Sequence, residues 1–249
     1  MFRRLACLAV AASAVACFCL LAAEPATDAQ MQARADQLFA DGNFKDAYEL
    51  FHKLALQADT PPAIAAHAVG QGTSSLAQLG RLDEFDPFVE AAVAAHPNAW
   101  EVLHKAARAY LETEHYGTII TGKFSRGLRQ GGGRNVSALD RDRVRALQLF
   151  DQARPLVVAA GKSASAARFW LDFARAVQQG AGNREAWQLQ SLTDLTALPD
   201  YEDFRGGWWG RGGSDRGAPV DAEGNPVYHT LPESWDATTS DGQRWRWLM

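Results

Sequence analysis

Leu38-Phe39-Ala40-Asp41-Gly42-Asn43-Phe44-Lys45-Asp46-Ala47-Tyr48-Glu49-Leu50-Phe51 holds the end of one apolar stripe, a breaker, and the start of a second stripe. Upstream, Met31, Ala35, Leu38 and Phe39 recur at helical spacing behind Thr27-Asp28-Ala29-Gln30, which has the form of a capping box. Downstream, Phe44, Ala47, Tyr48, Phe51 and Leu54 continue the second stripe until Pro61-Pro62, where proline removes a donor and restricts the residue before it. Asp41-Gly42-Asn43 is a turn between them. The spacing predicts two helices, each with one face to bury.

The unit recurs. Gly80, Leu82, Phe85, Val89 and Pro97 repeat the order of Gly42, Phe44, Ala47, Phe51 and Pro61, 38 residues later from glycine to glycine. Leu76 stands four before Gly80, as Leu38 does before Gly42. A third unit runs through Trp100, Leu103, Ala107 and Tyr110 to a turn at Glu114-His115-Tyr116. A degraded fourth spans Phe169, Leu171, Ala174, Gly182 and Trp187 to Pro199. A period in the thirties with A-x-x-x-F in the second helix resembles tetratricopeptide repeats. The expected fold class is therefore all-α: tetratricopeptide-like stacked helix pairs, an α-solenoid, in which each pair hides its apolar face on the next. An irregular helical bundle is the alternative. The pattern assigns residues 24–199 to the helical repeat domain, with Ala47, Phe51, Leu76, Phe85, Leu103 and Tyr110 buried.

Two stretches depart from it. Residues 117–135 carry Lys123, Arg126, Arg129 and Arg134, a run of three glycines and no acid, and read as a basic Gly-rich loop inserted between units. An amphipathic helix follows, from Asp140 to about Ala153, with Val144, Leu147 and Phe150 inward and Arg141, Arg143 and Arg145 outward or sideways. Residues 200–249 are rich in Trp, Gly and Pro and read as an irregular extension packed on the helices, its tryptophans pinning it there. The closing run Arg244-Trp245-Arg246-Trp247-Leu248-Met249 looks like the first turn of an interrupted helix, poorly anchored, and Trp245 and Trp247 are candidate partner contacts.

The start of the chain speaks to location. Arg3-Arg4 precede an apolar run from Leu5 to Ala23, broken only by Ser13, and Ala22-Ala23 meet Glu24-Pro25, the layout of a signal peptide over residues 1–23. The expected location is periplasmic or extracellular. An uncleaved anchor formed by residues 5–23 is the alternative, and a lipidated Cys17 is a weaker one. Cys7, Cys17 and Cys19 all lie in this leader, so the remainder offers no disulfide, thiolate nucleophile or Cys-metal site. The net charge is −4, and loss of Arg3 and Arg4 makes it −6, which argues against nucleic acid as a partner. Membrane contact is expected only through an uncleaved leader.

His115-Tyr116-Gly117, Gly122-Lys123-Phe124 with Arg126-Gly127, the triple glycine, Arg141-Asp142-Arg143, Gly217-Ala218-Pro219-Val220-Asp221 and Gly242-Gln243-Arg244-Trp245-Arg246-Trp247 resemble the opening region of large exported bacterial proteins of the alpha-2-macroglobulin type. The resemblance implies a helical N-terminal module whose partner is the downstream part of a longer parent. That family's Cys-containing thioester motif has no counterpart here.

Motifs for chemistry are sparse. Gly117 to Lys123 fits G-x-x-x-x-G-K, but Phe124 stands where a Ser or Thr hydroxyl would bind Mg²⁺, and a helix precedes it rather than a strand. The histidines show no metal spacing, Asp221, Glu223 and Asn225 fall short of a calcium loop, and no nucleophile elbow occurs. No catalytic, cofactor-binding or metal-binding residue is assigned. Lys123, Arg126, Arg129 and Arg134 are candidates for holding an anion or a partner. The expected function is a non-enzymatic protein-interaction or scaffold module. The alternative is a secreted hydrolase or glycan-binding protein using the basic loop and Trp-rich tail, signalled by a pocket joining Arg126, Arg134 and Asp203. Mass spectrometry of protein from the native host should find a mature N-terminus near Glu24; intact Met1 in a soluble cytoplasmic fraction would refute export.

Overall fold

The computed structural model describes residues 27–127, 132–179, 189–203 and 220–249. The leader, Arg129, Gly182, Trp187 and residues 217–219 of the alpha-2-macroglobulin-like pattern lie outside the described residues. Helix α1 (Asp28–Ala40) opens with the expected capping box: Thr27 Oγ1 accepts from the Gln30 N–H, and Gln30 Oε1 accepts from the Thr27 N–H. α2 (Phe44–Leu56), α3 (Pro62–Gln78), α4 (Phe85–Ala95) and α5 (Trp100–Glu112) follow, with a single 3-10 turn at Leu82–Glu84 before α4. α1 packs on α2, α2 on α3, and α3 on α5. Ala47, Phe51, Leu76, Phe85, Leu103 and Tyr110 are all buried in one core. Inside α3, Gly72 is a packing requirement, since a Cβ there would lie 2.6 Å from the Phe88 ring.

The all-α, tetratricopeptide-like α-solenoid is overturned by what comes next. Residues 116–137 form strands β1 (Tyr116–Ile120), β2 (Lys123–Arg126) and β3 (Arg134–Ser137), and β4 (Glu202–Asp203) joins from the tail. They make a four-stranded antiparallel sheet in the order β2-β1-β3-β4. The described residues thus make a mixed α/β fold of eight α-helices and this sheet. The reason lies in two glycines. Thr121 (φ 49°) and Gly122 (φ 80°) are both left-handed, which makes the two-residue turn whose twist matches antiparallel strands, and Ile120 pairs with Lys123 across it. Gly117 is needed for proximity, because a Cβ there would lie 2.4 Å from both the Phe124 ring and the Ser125 carbonyl oxygen. The glycines of the expected loop therefore serve a sheet, and β-branched Thr118, Ile119, Ile120 and Val136 fill its strands.

α6 (Leu139–Ala160) and α7 (Ala164–Gln178) return to helix, longer than the expected span from Asp140 to about Ala153. Phe150, Phe169 and Phe173 are fully buried between them, with Phe150 and Phe173 stacked at 4.9 Å. The tail is not merely irregular. α8 (Asp241–Leu248), capped by Ser240, lies on α7, and the chain end is anchored where a loose run was expected. Trp235 is buried against Phe173 at 4.9 Å, and Trp247 touches both Trp170 and Trp235. Asp241 accepts from the Thr193 N–H and from Arg143 and Arg244, which ties α8 to the segment after α7. Among the described residues no helix is long and apolar enough to cross a membrane.

Phe51 has no exposed surface and sits at the centre of the first helical pairs. Phe51→Ala should lower stability by about 3–5 kcal/mol in a urea titration followed by circular dichroism. A loss below about 1 kcal/mol would show that the site collapses around the change.

Candidate functional site

β2 ends on Arg126, whose side chain turns inward from the sheet and is almost wholly buried. A buried guanidinium must find acceptors for all five N–H groups. Nε and Nη2 donate to the two oxygens of Asp86 at 3.0 and 2.6 Å. Nη1 and Nη2 donate to the two oxygens of Asp142 at 2.7 and 2.9 Å. The remaining Nη1 hydrogen goes to the Glu114 carbonyl at 2.7 Å. Asp86 is in the first turn of α4 and Asp142 in the first turn of α6, where helix dipoles favour a carboxylate. His115 adds a contact to Asp142 through Nδ1 at 2.9 Å. Burial alone would lower the affinity of this guanidinium for its proton, but Asp142 and Asp86 more than offset it and raise the pKa.

Two aromatic rings also contact the same group. Arg126 lies 4.9 Å from the Phe85 ring centre and 5.5 Å from that of Phe124. The other face of the Phe124 neighbourhood carries Tyr201, stacked at 4.5 Å, and Arg141 of α6 lies 4.8 Å over Tyr201 while donating to the Pro199 carbonyl. Guanidinium over an aromatic face is attractive at each step.

A cleft of about 850 Å³ opens beside this stack, between the β1–β2 hairpin, α4, α5, α6 and residues 198–201. Its walls include Glu90, Tyr110, Lys123, Phe124, Ser125, Arg141, Arg145 and Tyr201. Arg145 binds Glu90 bidentately at 2.8 and 2.7 Å, and the Tyr110 hydroxyl donates to the same carboxylate at 2.7 Å. Burial pushes the Glu90 pKa up, yet the bonds from Arg145 and Tyr110 outweigh it and hold the carboxyl below its ordinary value. Burial and the nearby Glu90 charge push the Tyr110 phenol well up. Ser125 Oγ is buried at the cleft wall without a hydrogen-bond partner.

Of the sequence-derived candidates among the described residues, only Lys123 lines this cleft. Arg126 stands behind its wall with every donor taken. Arg134 is exposed on β3 and pairs with Asp203 of β4 at 2.5 Å. Arg126 is buried with its donors taken inside the fold, whereas the Arg134–Asp203 pair is exposed at the sheet edge. Trp245 and Trp247 pack on the core instead of standing free. Sequence reasoning missed Phe124, Tyr201, Glu90, Tyr110 and Arg141. One signal was available: Arg141 and Arg145 are four apart, so they share a helix face, while Arg143 turns away to the Val177 and Gln179 carbonyls at the end of α7. Among the described residues no His, Cys, Asp or Glu cluster is arranged to hold a metal. No family model, curated protein or solved structure matches the chain.

Arg126→Met should destabilise the fold by about 3–5 kcal/mol, because it strands the buried Asp142 carboxylate. Arg126→Lys should recover only part, since an ammonium cannot bind two carboxylates bidentately. Equal stability of all three proteins in urea would refute this assignment. The Glu90 pair gives a pH signature. Its folded pKa lies below the unfolded value of 4.5, so its contribution is present above that pH and disappears as pH falls through the folded pKa. Glu90→Gln should therefore flatten the fall in stability below about pH 4.5, read from thermal melts across the acid range.

Proposed function

We propose that the chain is an exported, non-enzymatic recognition module that holds a peptide segment in the cleft beside the hairpin. The observation that supports this reading is how the ionisable groups of the cleft are used. Asp86 and Asp142 are bound to Arg126, and Glu90 to Arg145 and Tyr110. A general acid or base must exchange its proton with a substrate, whereas Asp86 and Asp142 already accept from Arg126, and Arg145 and Tyr110 hold Glu90 below its ordinary carboxyl range. What faces an occupant is a stacked Phe124–Tyr201 surface and the Lys123 ammonium. Flat aromatic surface with a few polar anchors suits an extended peptide. The likeness of the motifs to the opening region of alpha-2-macroglobulin-type proteins belongs to the same proposal: a segment of a longer parent chain would be such an occupant.

The test uses the mature protein from residue 24 onward, with a photo-crosslinking residue at position 121 on the hairpin tip. It is exposed in parallel to a random peptide display library and to an oligosaccharide array. The expected result is selection of peptides that crosslink at position 121. Tyr201→Ala should weaken them about tenfold, the effect of losing one aromatic contact worth roughly 1.4 kcal/mol. Selection of oligosaccharides alone, or turnover of either library, would overturn the reading.

A further inference from the structure

A second concave surface is lined by residues that the hairpin cleft does not use. Between α3 and α5 runs a groove of about 520 Å³, with Gly70, Gln71 and Ser74 on one wall and Lys105, Ala109 and Glu112 on the other. Gly70 is the informative residue. Glycine in a helix interior costs about 0.5–1 kcal/mol relative to alanine, so its presence in α3 needs a reason. A Cβ at this position would lie 3.1–3.2 Å from Lys105 Cδ, Cε and Nζ. The missing methyl is the seat in which the lysine lies flat across α3. Burial, followed by the neighbouring Arg108, holds the Lys105 ammonium below the ordinary lysine range. Among the described residues no carboxylate comes within ion-pair distance of it.

The charge continues along the same face. Arg108, one turn further on α5, pairs with Glu112 at 2.5 Å and lies 3.9 Å from Asp172 of α7. Arg168 and Arg175 lie 3.0 and 3.5 Å from the same aspartate, and both are more than half exposed. His104 also contacts Asp172, at 3.1 Å. Arg108, Arg168 and Arg175 therefore share Glu112 and Asp172, and Lys105 adds a fourth cation without an ion pair among the described residues, on a chain whose net charge is −4. Lys105 and Glu112 lie in the groove lining and the three arginines beside it, so the local positive surplus draws anions to this face.

We infer that the α3–α5 groove and the adjoining arginines of α7 bind a short acidic peptide segment, with one carboxylate on Lys105 and others on Arg168 and Arg175. A long polyanion such as nucleic acid fits less well, because its affinity grows with the number of phosphates neutralised and the chain carries a net charge of −4. A carboxylate at Lys105 gives the seated ammonium the counter-charge that the fold withholds. The inference is independent of the cleft beside the hairpin, which lies on other residues.

The experiment measures binding of fluorescein-labelled hexaglutamate to the mature protein at low salt, by anisotropy. Hexalysine, a six-nucleotide single-stranded DNA and inorganic phosphate serve as comparisons. The expected result is saturable hexaglutamate binding that weakens with salt, about tenfold weaker in Lys105→Gln and unchanged in Lys53→Gln, an exposed lysine of α2 outside both concave surfaces. Gly70→Ala separates binding from packing: it keeps every charge and improves helix propensity, but moves the ammonium. It should weaken hexaglutamate without lowering the melting temperature. The inference is overturned if hexaglutamate does not bind, if the DNA or phosphate binds as well as hexaglutamate, or if Lys105→Gln binds as the parent does.

Discussion

Five donors on one buried guanidinium hold three parts of this molecule in register. Arg126 comes from the sheet, Asp86 from the start of α4 and Asp142 from the start of α6, and the Glu114 carbonyl belongs to the turn leaving α5. None of these could be buried without the others, since an isolated charge in a core costs several kcal/mol and a half-satisfied network is worse than an apolar one. The pairing therefore acts as a condition on the whole arrangement. The hairpin can dock only where both helix N-termini meet it, and the Phe85 and Phe124 rings then lie within 4.9 and 5.5 Å of the guanidinium carbon. Tyr201 and Arg141 extend the same layering outward, which fixes the segment that forms one rim of the cleft.

The two concave surfaces use charge differently. Beside the hairpin, carboxylates and guanidinium groups are matched within the protein, so the cleft offers shape, aromatic surface and single polar groups. Between α3 and α5 the matching is incomplete: Asp172 serves three arginines and a histidine, and Lys105 has an apolar seat in place of a partner. Matched charge fixes a geometry, and unmatched charge looks outward for its complement.

Much of the helical layer was legible in the sequence, because a 3.6-residue stripe reports directly which face is buried; Phe51, Leu76 and Leu103 are core for that reason. The sheet was not. Glycine content argued for a loop, yet Gly122 is a turn residue and Gly117 a point of close approach, two roles that composition alone cannot separate. The run Thr118-Ile119-Ile120 followed by a two-residue turn carried the strand signal at short range. Of the cleft, only Lys123 was legible. Arg126 was singled out for its charge, but its partners lie 40 and 16 residues away, and no local pattern says which carboxylates will face an arginine in space. Tyr201 belongs to the cleft by stacking on a residue 77 positions earlier, which is a property of the assembled fold.

The reach of the Arg126 cluster along the chain also sets an order of events. Helix pairs from α1 to α5 are built from near neighbours and can assemble early, at a small loop-closure cost. The cluster must wait until segments on both sides of the hairpin are in place. Until its partners meet, each of these three charged groups is more stable hydrated than buried, because an unpaired charge in a core costs several kcal/mol. Interactions that form after the rate-limiting step leave their mark on unfolding, so if the Arg126 cluster closes last it governs the lifetime of the native state rather than the speed of reaching it.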